Sequence, residues 1–179
     1  MPPMSTPKPT PVETPRALRD RKGTQGYGKF PLPSPLDKVM ADFLSGITNP
    51  ADFAEHRAAL QATVPGTVTL AYAERMASLA VRRQDKKSLR SGLVAVALAW
   101  LLVDDHREVW PVMALLYRAA EMVGADPAAE FAAAGTLGGA DVATALAEFA
   151  ARPAPDRSIA DMGYEPGDDA QGFRFLRTW

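Results

Sequence analysis

The 179-residue chain contains no cysteine. This excludes disulfide bonds, thiolate nucleophiles and every metal site built on cysteine, and it fits a reducing compartment. Long hydrophobic runs are also missing. The longest uncharged apolar stretch, 91–103, has 13 residues, whereas a membrane-spanning helix needs about 20. The first 30 residues carry prolines and charges in place of the apolar core of a secretory signal, so we expect a cytoplasmic protein that makes no membrane contact.

Sequence motifs that mark catalytic or ligand-binding sites are absent as well. The two histidines, His56 and His106, lack the spacing of a zinc-binding HExxH motif. The chain has no Gly-rich phosphate loop, no GxSxG elbow and no kinase motif. The sequence therefore predicts no catalytic set, no cofactor and no metal site.

Charge is present but unevenly distributed, although the formal net charge is only −1. Residues 1–30 hold six basic residues against two acids, whereas residues 121–179 hold four against ten. Such a bipolar chain is not typical of a general polyanion binder, and its acidic C-terminal third suits a basic protein partner.

Proline dominates the N-terminal segment, with eight prolines in residues 1–33. Repeated X-Pro bonds favour polyproline II, and the few large apolar residues cannot offset the entropy of ordering. We predict a disordered, basic, Pro-rich tail over 1–33 and a single helical domain over 34–179. The tail is either a polyproline ligand or a solubilising segment.

Capping residues divide the helical domain into elements. The predicted helices cover 34–44, 49–61, 67–83, 87–103, 107–123, 127–134 and 140–151. Asp126 and Pro127 are typical of a helix start, and Gly124 is typical of a helix end. Pro111 must lie in the first turn of the fifth helix, because it would cost about 3 kcal/mol in a helix interior. The glycines between 135 and 139 predict a flexible stretch after the sixth helix.

The fourth predicted helix is apolar on nearly every face, which is typical of a central helix. Because short connections make consecutive helices antiparallel neighbours, we expect the third and fifth helices to flank it. The third shows a narrower apolar stripe. Near the C-terminus, a turn at 166–169 and aromatic residues with a period of two predict a hairpin whose aromatics pack on the helices. The predicted fold is all-α, a compact bundle of about seven helices with a short C-terminal extended or hairpin segment.

Two acidic features are weak candidates for a catalytic or metal site. In the loop with Asp104, Asp105 and His106, an aspartate and the histidine could act together as a general base, or the side chains could be metal ligands. Adjacent loop residues rarely converge on one point, however, so helix capping and solvation are the simpler interpretation. Glu74, flanked by apolar residues, is either a partly buried catalytic acid or, more simply, part of a structural ion pair with Arg118.

A basic turn at 82–90 is the candidate for anion contacts. Its basic residues are Arg82, Arg83, Lys86, Lys87 and Arg90. They can contact phosphates, but no interleaved aromatics are available to stack on bases, which favours a solvated turn. A nucleic-acid role would require this turn to share one face with the basic residues of the tail.

Three stretches together resemble a group of small helical bacterial proteins: AYAERMASLAVRRQD, LLYRAAEMVGADPAAEFAAAG and DRSIADMGYEPGDDAQGFRF. That group carries a helix pair of the type AARxLGxDPxxLF and a terminal GFxxxxxxxGFxF element. The resemblance covers about residues 67–175. It implies the same element boundaries and a bacterial source, and it implies no activity.

These observations favour a non-enzymatic protein-interaction module, of which an immunity-type or antitoxin-type inhibitor is one concrete form. The first alternative is an enzyme or metal-binding protein centred on the loop 104–106. It requires that loop to meet Glu74 or His56 within about 5 Å in a cleft. The second alternative is a nucleic-acid accessory protein that uses the 82–90 turn.

Overall fold

The computed structural model describes residues 40–42, 44–63, 66–162, 164–166 and 173–175. The expectations for the tail, for the start of the first helix and for the turn at 167–169 lie outside these residues. No helix in the described part of the chain is long and apolar enough to span a membrane.

Seven α-helices make up most of the described residues, which confirms the predicted all-α class. They are α1 within 40–45, α2 Pro50–Thr63, α3 Gly66–Arg83, α4 Lys86–Leu102, α5 Trp110–Met122, α6 Pro127–Gly138 and α7 Ala140–Ala150. Two 3-10 turns cover His106–Glu108 and Ala154–Arg157. Strands β1, Tyr164–Pro166, and β2, Phe173–Phe175, pair antiparallel as the predicted terminal hairpin.

Helix α4 lies at the centre, as its apolar composition predicts. It packs most extensively on α3 and also contacts α2, α5, α6 and α7. Leu89, Leu93 and Leu98 on α4 are at most 1 % exposed. The apolar stripe predicted for α3 is too narrow. This helix is buried on most sides because it contacts α4, α5 and β2.

The start of α6 and the end of α5 lie where the capping residues of the sequence predict them. The Oδ1 atom of Asp126 accepts from the backbone N–H groups of Ala128 and Ala129, at 3.1 and 3.4 Å. Pro127 occupies the first turn, where its missing N–H costs no hydrogen bond. Gly124 has φ +72°, the left-handed conformation expected after α5.

The predicted start of the fifth helix and the predicted end of the sixth are wrong, the first because of a capping residue and the second because of tertiary packing. The fifth helix begins at Trp110 rather than at 107, because Asp105 caps a separate 3-10 turn before it; Pro111 still lies in the first turn. The sixth helix does not end at 134. It continues through Gly135, where a Cβ would lie 2.9 Å from the Cα of Ala143, so the missing side chain allows α6 and α7 to pack backbone to backbone.

Asp85 caps α4 through three hydrogen bonds. Its carboxylate accepts from the Lys87 N–H at 2.8 Å, from the Ser88 hydroxyl at 2.7 Å and from the Ser88 N–H at 3.3 Å. The Ser88 hydroxyl is the largest of the causes that hold the pKa of Asp85 below its usual value; both backbone donors and Arg83 add to it, against the opposing effect of burial.

We expect Asp85→Ala to lower the free energy of unfolding by about 1 kcal/mol at pH 7, as for other N-cap removals. Because the pKa is lower in the folded state, this contribution is complete above the unfolded pKa of about 3.9 and is lost as the pH falls through the folded pKa. Urea unfolding of both proteins between pH 7 and pH 2 measures it. A stability difference that grows with acidification would contradict the assignment, and the exposed Asp156→Ala variant is the control.

Candidate functional site

An open cleft of about 510 Å³ lies between the C-terminal end of α4, the first 3-10 turn, the start of α5 and helix α7. Its volume falls within the range of roughly 300–1,000 Å³ that is typical of ligand sites. We call it the aromatic cleft, because Trp100, Trp110 and Phe149 contribute to its walls.

The first wall is built by Trp100 and His106. The indole of Trp100, in the last turn of α4, stacks on the imidazole of His106 with ring centroids 3.7 Å apart and planes at 22°. The 3-10 turn presents His106, and Asp105 caps that turn by accepting the Arg107 N–H at 3.0 Å. The capped 3-10 turn therefore positions the imidazole of His106 against the indole of Trp100.

Arginine side chains stack on aromatic rings along the second wall. The guanidinium carbon of Arg152 lies 4.5 Å from the ring centroid of Trp110 and 5.5 Å from that of Phe149. The backbone carbonyl of Arg152 accepts from Nε of Arg157 at 2.9 Å, and the guanidinium carbon of Arg157 lies 3.7 Å from the Tyr117 ring centroid. Cation–π contacts of this kind hold Arg152 in place.

Helix α7 supplies a polar face to the cleft. Asp141, Thr144, Ala145 and Glu148 line it at positions i, i+3, i+4 and i+7, the spacing of one helix face. Asp141 and Glu148 are exposed. Within the described part of the chain, neither carboxylate has a hydrogen-bonding or ionic partner. Arg152 follows Glu148 by four residues but lies beyond the end of α7, and its guanidinium stacks on Trp110.

The loop 104–106 contributes only His106 to the cleft. Asp105 is occupied by its neighbour, with Nη2 of Arg107 at 2.9 Å from Oδ2. The hydrogen bond from the Arg107 side chain is the main reason that the pKa of Asp105 is lowered and that of Arg107 raised. Asp104 is exposed and does not line the cleft. Among the described residues, no group of three or more His, Asp or Glu side chains has an arrangement that could hold a metal ion.

Glu74 lies in the core and apart from the cleft. It is 0 % exposed, and its Oε2 accepts from the hydroxyl of Tyr164 at 2.8 Å. The neighbours of Glu74 on α3 pack on Gly92, whereas Gly66, eight residues earlier on α3, packs on Val103 next to the loop. Eight residues of helix span about 12 Å, so Glu74 does not meet the loop 104–106.

The ion pair predicted between Glu74 and Arg118 is wrong. Nη1 of Arg118 instead contacts Glu121 on its own helix at 2.9 Å. His56, the other residue considered with the loop, lies on α2, where its Nδ1 is 2.7 Å from the backbone oxygen of Asp52.

In the basic turn, Arg90 already has a carboxylate partner. Its guanidinium contacts both carboxylate oxygens of Glu130, at 3.2 and 3.3 Å, and this pair raises the pKa of Arg90. Arg83, Lys86 and Lys87 are exposed, as is Arg82. The basic residues of the tail lie outside the described residues, so the shared face required for a nucleic-acid role stays a prediction.

Sequence reasoning missed most of the cleft. Asp141 and Glu148 are visible as a polar face of a predicted helix, but nothing in the local sequence shows that this face meets Trp100 and Trp110. Arg152 follows the predicted end of the seventh helix and likewise gives no signal on its own. The cleft exists only because α7 packs beside the end of α4.

No protein-family model, curated protein or solved structure matches the chain. The resemblance to small helical bacterial proteins and the bacterial source therefore stay predictions. What the chain binds must be inferred from the chemistry of the aromatic cleft.

Proposed function

We propose that the protein is a non-enzymatic interaction module that binds a protein partner through the aromatic cleft. The observation that carries the proposal is the pair of half-buried tryptophans, Trp100 and Trp110, beside Arg152 in an open cleft. Tryptophan and arginine are enriched among the residues that dominate binding energy at protein interfaces. Both indoles still have surface that a partner can bury.

The walls of the cleft are held in place before any partner arrives. His106 stacks on Trp100, and Arg152 stacks on Trp110. Side chains that are already ordered lose less entropy on association, which leaves more of the contact energy as affinity. This arrangement supports recognition of a partner by a preformed surface.

The charge of the chain supports a basic partner. Residues 121–179 hold ten acids against four basic residues, and the cleft displays two of those acids, Asp141 and Glu148. An immunity-type or antitoxin-type inhibitor that blocks a basic partner protein is one concrete form of the proposal. The cysteine-free composition supports the cytoplasm as the place of action.

The alternatives have less support in the geometry. The enzyme alternative requires the loop 104–106 to meet Glu74 or His56 in a cleft, whereas Asp105 pairs with Arg107 and Glu74 lies in the core. In the nucleic-acid alternative Arg90 would contact phosphates, but its guanidinium already pairs with Glu130. Among the residues that the structure describes, the two α7 carboxylates of the aromatic cleft have no such partner.

A photo-crosslinking amino acid placed at Thr144 tests the proposal. Thr144 is exposed on α7 and lines the cleft, whereas Ala54 is exposed on α2 and serves as the control position. In an extract of the source cells, we expect the 144 variant, and not the 54 variant, to form a covalent adduct with one protein, identified by mass spectrometry. Adding Trp100→Ala should reduce the adduct at least about tenfold, because truncating a tryptophan that dominates an interface costs about 2 kcal/mol or more.

Two results would contradict the proposal. The first is a set of adducts that is the same from positions 54 and 144, which would indicate nonspecific contact. The second is an adduct at 144 that survives Trp100→Ala unchanged, since the tryptophan would then contribute nothing to recognition. Thermal unfolding of each variant shows whether the fold is intact.

A further inference from the structure

The two α7 carboxylates indicate what kind of group the cleft takes. Asp141 and Glu148 lie seven residues apart on one helix face, which places them about 10 Å apart along the axis. Both are exposed and, within the described residues, have no ionic partner. The indoles of Trp100 and Trp110 line the same cleft.

The cleft already shows which cation suits its aromatic wall. The guanidinium of Arg152, two residues beyond the end of α7, packs on Trp110 and Phe149. Guanidinium combines stacking on aromatic rings with bidentate hydrogen bonding to carboxylates, which the ammonium group of lysine does not. A cleft lined by both aromatic rings and carboxylates therefore fits arginine side chains.

We propose, on the basis of the function proposed above, that the aromatic cleft binds an extended segment of the partner protein with the pattern Arg-x-x-Arg. In a polyproline II conformation, residues i and i+3 lie on the same side and about 9 Å apart, which matches the separation of the two carboxylates. One guanidinium binds Asp141, the other binds Glu148, and both lie against the aromatic wall.

The chain itself contains this pattern twice, at Arg16 and Arg19 and at Arg174 and Arg177. Its own arginines are therefore competing occupants that the experiment must separate from a partner. The variant Arg16→Ala/Arg19→Ala/Arg177→Ala does so, because it removes both internal patterns and leaves the residues that line the cleft unchanged.

The probe is the fluorescein-labelled peptide Gly-Arg-Pro-Pro-Arg-Gly, followed by fluorescence anisotropy at an ionic strength of about 0.1 M. We expect saturable binding that shifts the indole N–H resonances of Trp100 and Trp110. A peptide with citrulline in place of both arginines keeps the shape and loses the charge, and it should bind at least about tenfold more weakly. A peptide with adjacent arginines, Gly-Arg-Arg-Pro-Pro-Gly, should bind several-fold more weakly because its cations do not match the spacing.

The matched variants are Asp141→Asn/Glu148→Gln in the cleft and Asp156→Asn/Asp161→Asn outside it. Both remove two negative charges from exposed carboxylates of the C-terminal third. We expect the first to weaken peptide binding at least about tenfold, and the second to change it less than about twofold, because exposed charges act weakly beyond about 10 Å.

Equal losses in the two double variants, or equal binding of the citrulline peptide, would overturn the proposal. Tighter peptide binding to Arg16→Ala/Arg19→Ala/Arg177→Ala would also overturn it, since the chain's own arginines would then be the occupant. The crosslinking experiment distinguishes this inference from the proposed function. An adduct at Thr144 that persists in Asp141→Asn/Glu148→Gln keeps the interaction module and rejects the arginine pattern, whereas peptide binding without any adduct rejects the protein partner.

Discussion

Replacing Phe131 by alanine should lower the free energy of unfolding by about 4 kcal/mol, the usual cost of deleting a buried phenylalanine ring. Phe131 on α6 is 0 % exposed. Its ring meets the Tyr117 ring edge-on, with centroids 5.8 Å apart, and stacks with Phe149 at 6.1 Å. The substitution therefore removes apolar burial and two aromatic pairs, and it leaves a cavity below the aromatic cleft.

Urea denaturation followed by circular dichroism measures this loss. Phe131→Leu is the matched control. It keeps much of the volume, so we expect a loss of less than about 1.5 kcal/mol. A similar loss for both variants would show that packing volume at residue 131 does not matter. Because Phe149 lines the cleft, peptide binding by the alanine variant should weaken as well.

Replacing Tyr164 by phenylalanine should lower the free energy of unfolding by about 2 kcal/mol. The hydroxyl of Tyr164 donates to Oε2 of Glu74 at 2.8 Å, and both residues are 0 % exposed. The substitution keeps the ring and removes only the donor. A carboxyl oxygen in the core then loses a hydrogen bond that water cannot replace, and this costs about 1–3 kcal/mol.

A double-mutant cycle with Glu74→Leu isolates this hydrogen bond, because leucine removes the acceptor and the two side chains are in direct contact. We expect a coupling energy of about 1 kcal/mol or more. The matched control is Tyr117→Phe, where the tyrosine is partly exposed, and its effect should stay within about 0.5 kcal/mol. Additive effects of Tyr164→Phe and Glu74→Leu would mean that the hydroxyl contributes nothing through Glu74.

Helix positions were largely predictable because caps and stops act locally. The start of α6 is determined by Asp126 and Pro127, and the end of α5 by Gly124, each within one turn of the chain. Where a boundary depends on a distant residue, prediction failed. From the sequence, Gly135 is predicted to follow the end of the sixth helix. In the structure α6 continues through Gly135, and the missing side chain allows α7 to approach α6.

The candidate site was mostly unpredictable for the same reason. Helix capping was the simpler interpretation of the loop 104–106, and Asp105 does cap the 3-10 turn that follows it, since a cap needs only its own turn. The stacking of His106 on Trp100 also joins residues close in sequence, but the pattern of the sequence does not show it. Asp141 and Arg152 become part of the cleft only through the tertiary packing of α7. The periodicity of a helix does not predict which of its faces will pack near which tryptophan.

The hydrogen bond between Glu74 and Tyr164 joins residues 90 positions apart. During synthesis, α3 leaves the ribosome long before the hydroxyl of Tyr164 exists. A nascent chain that stops short of residue 164 must bury or expose the Glu74 carboxyl without this donor, so its helices are less stable than in the complete chain. Arrival of the C-terminal strand is therefore a late folding event on which the early helices depend.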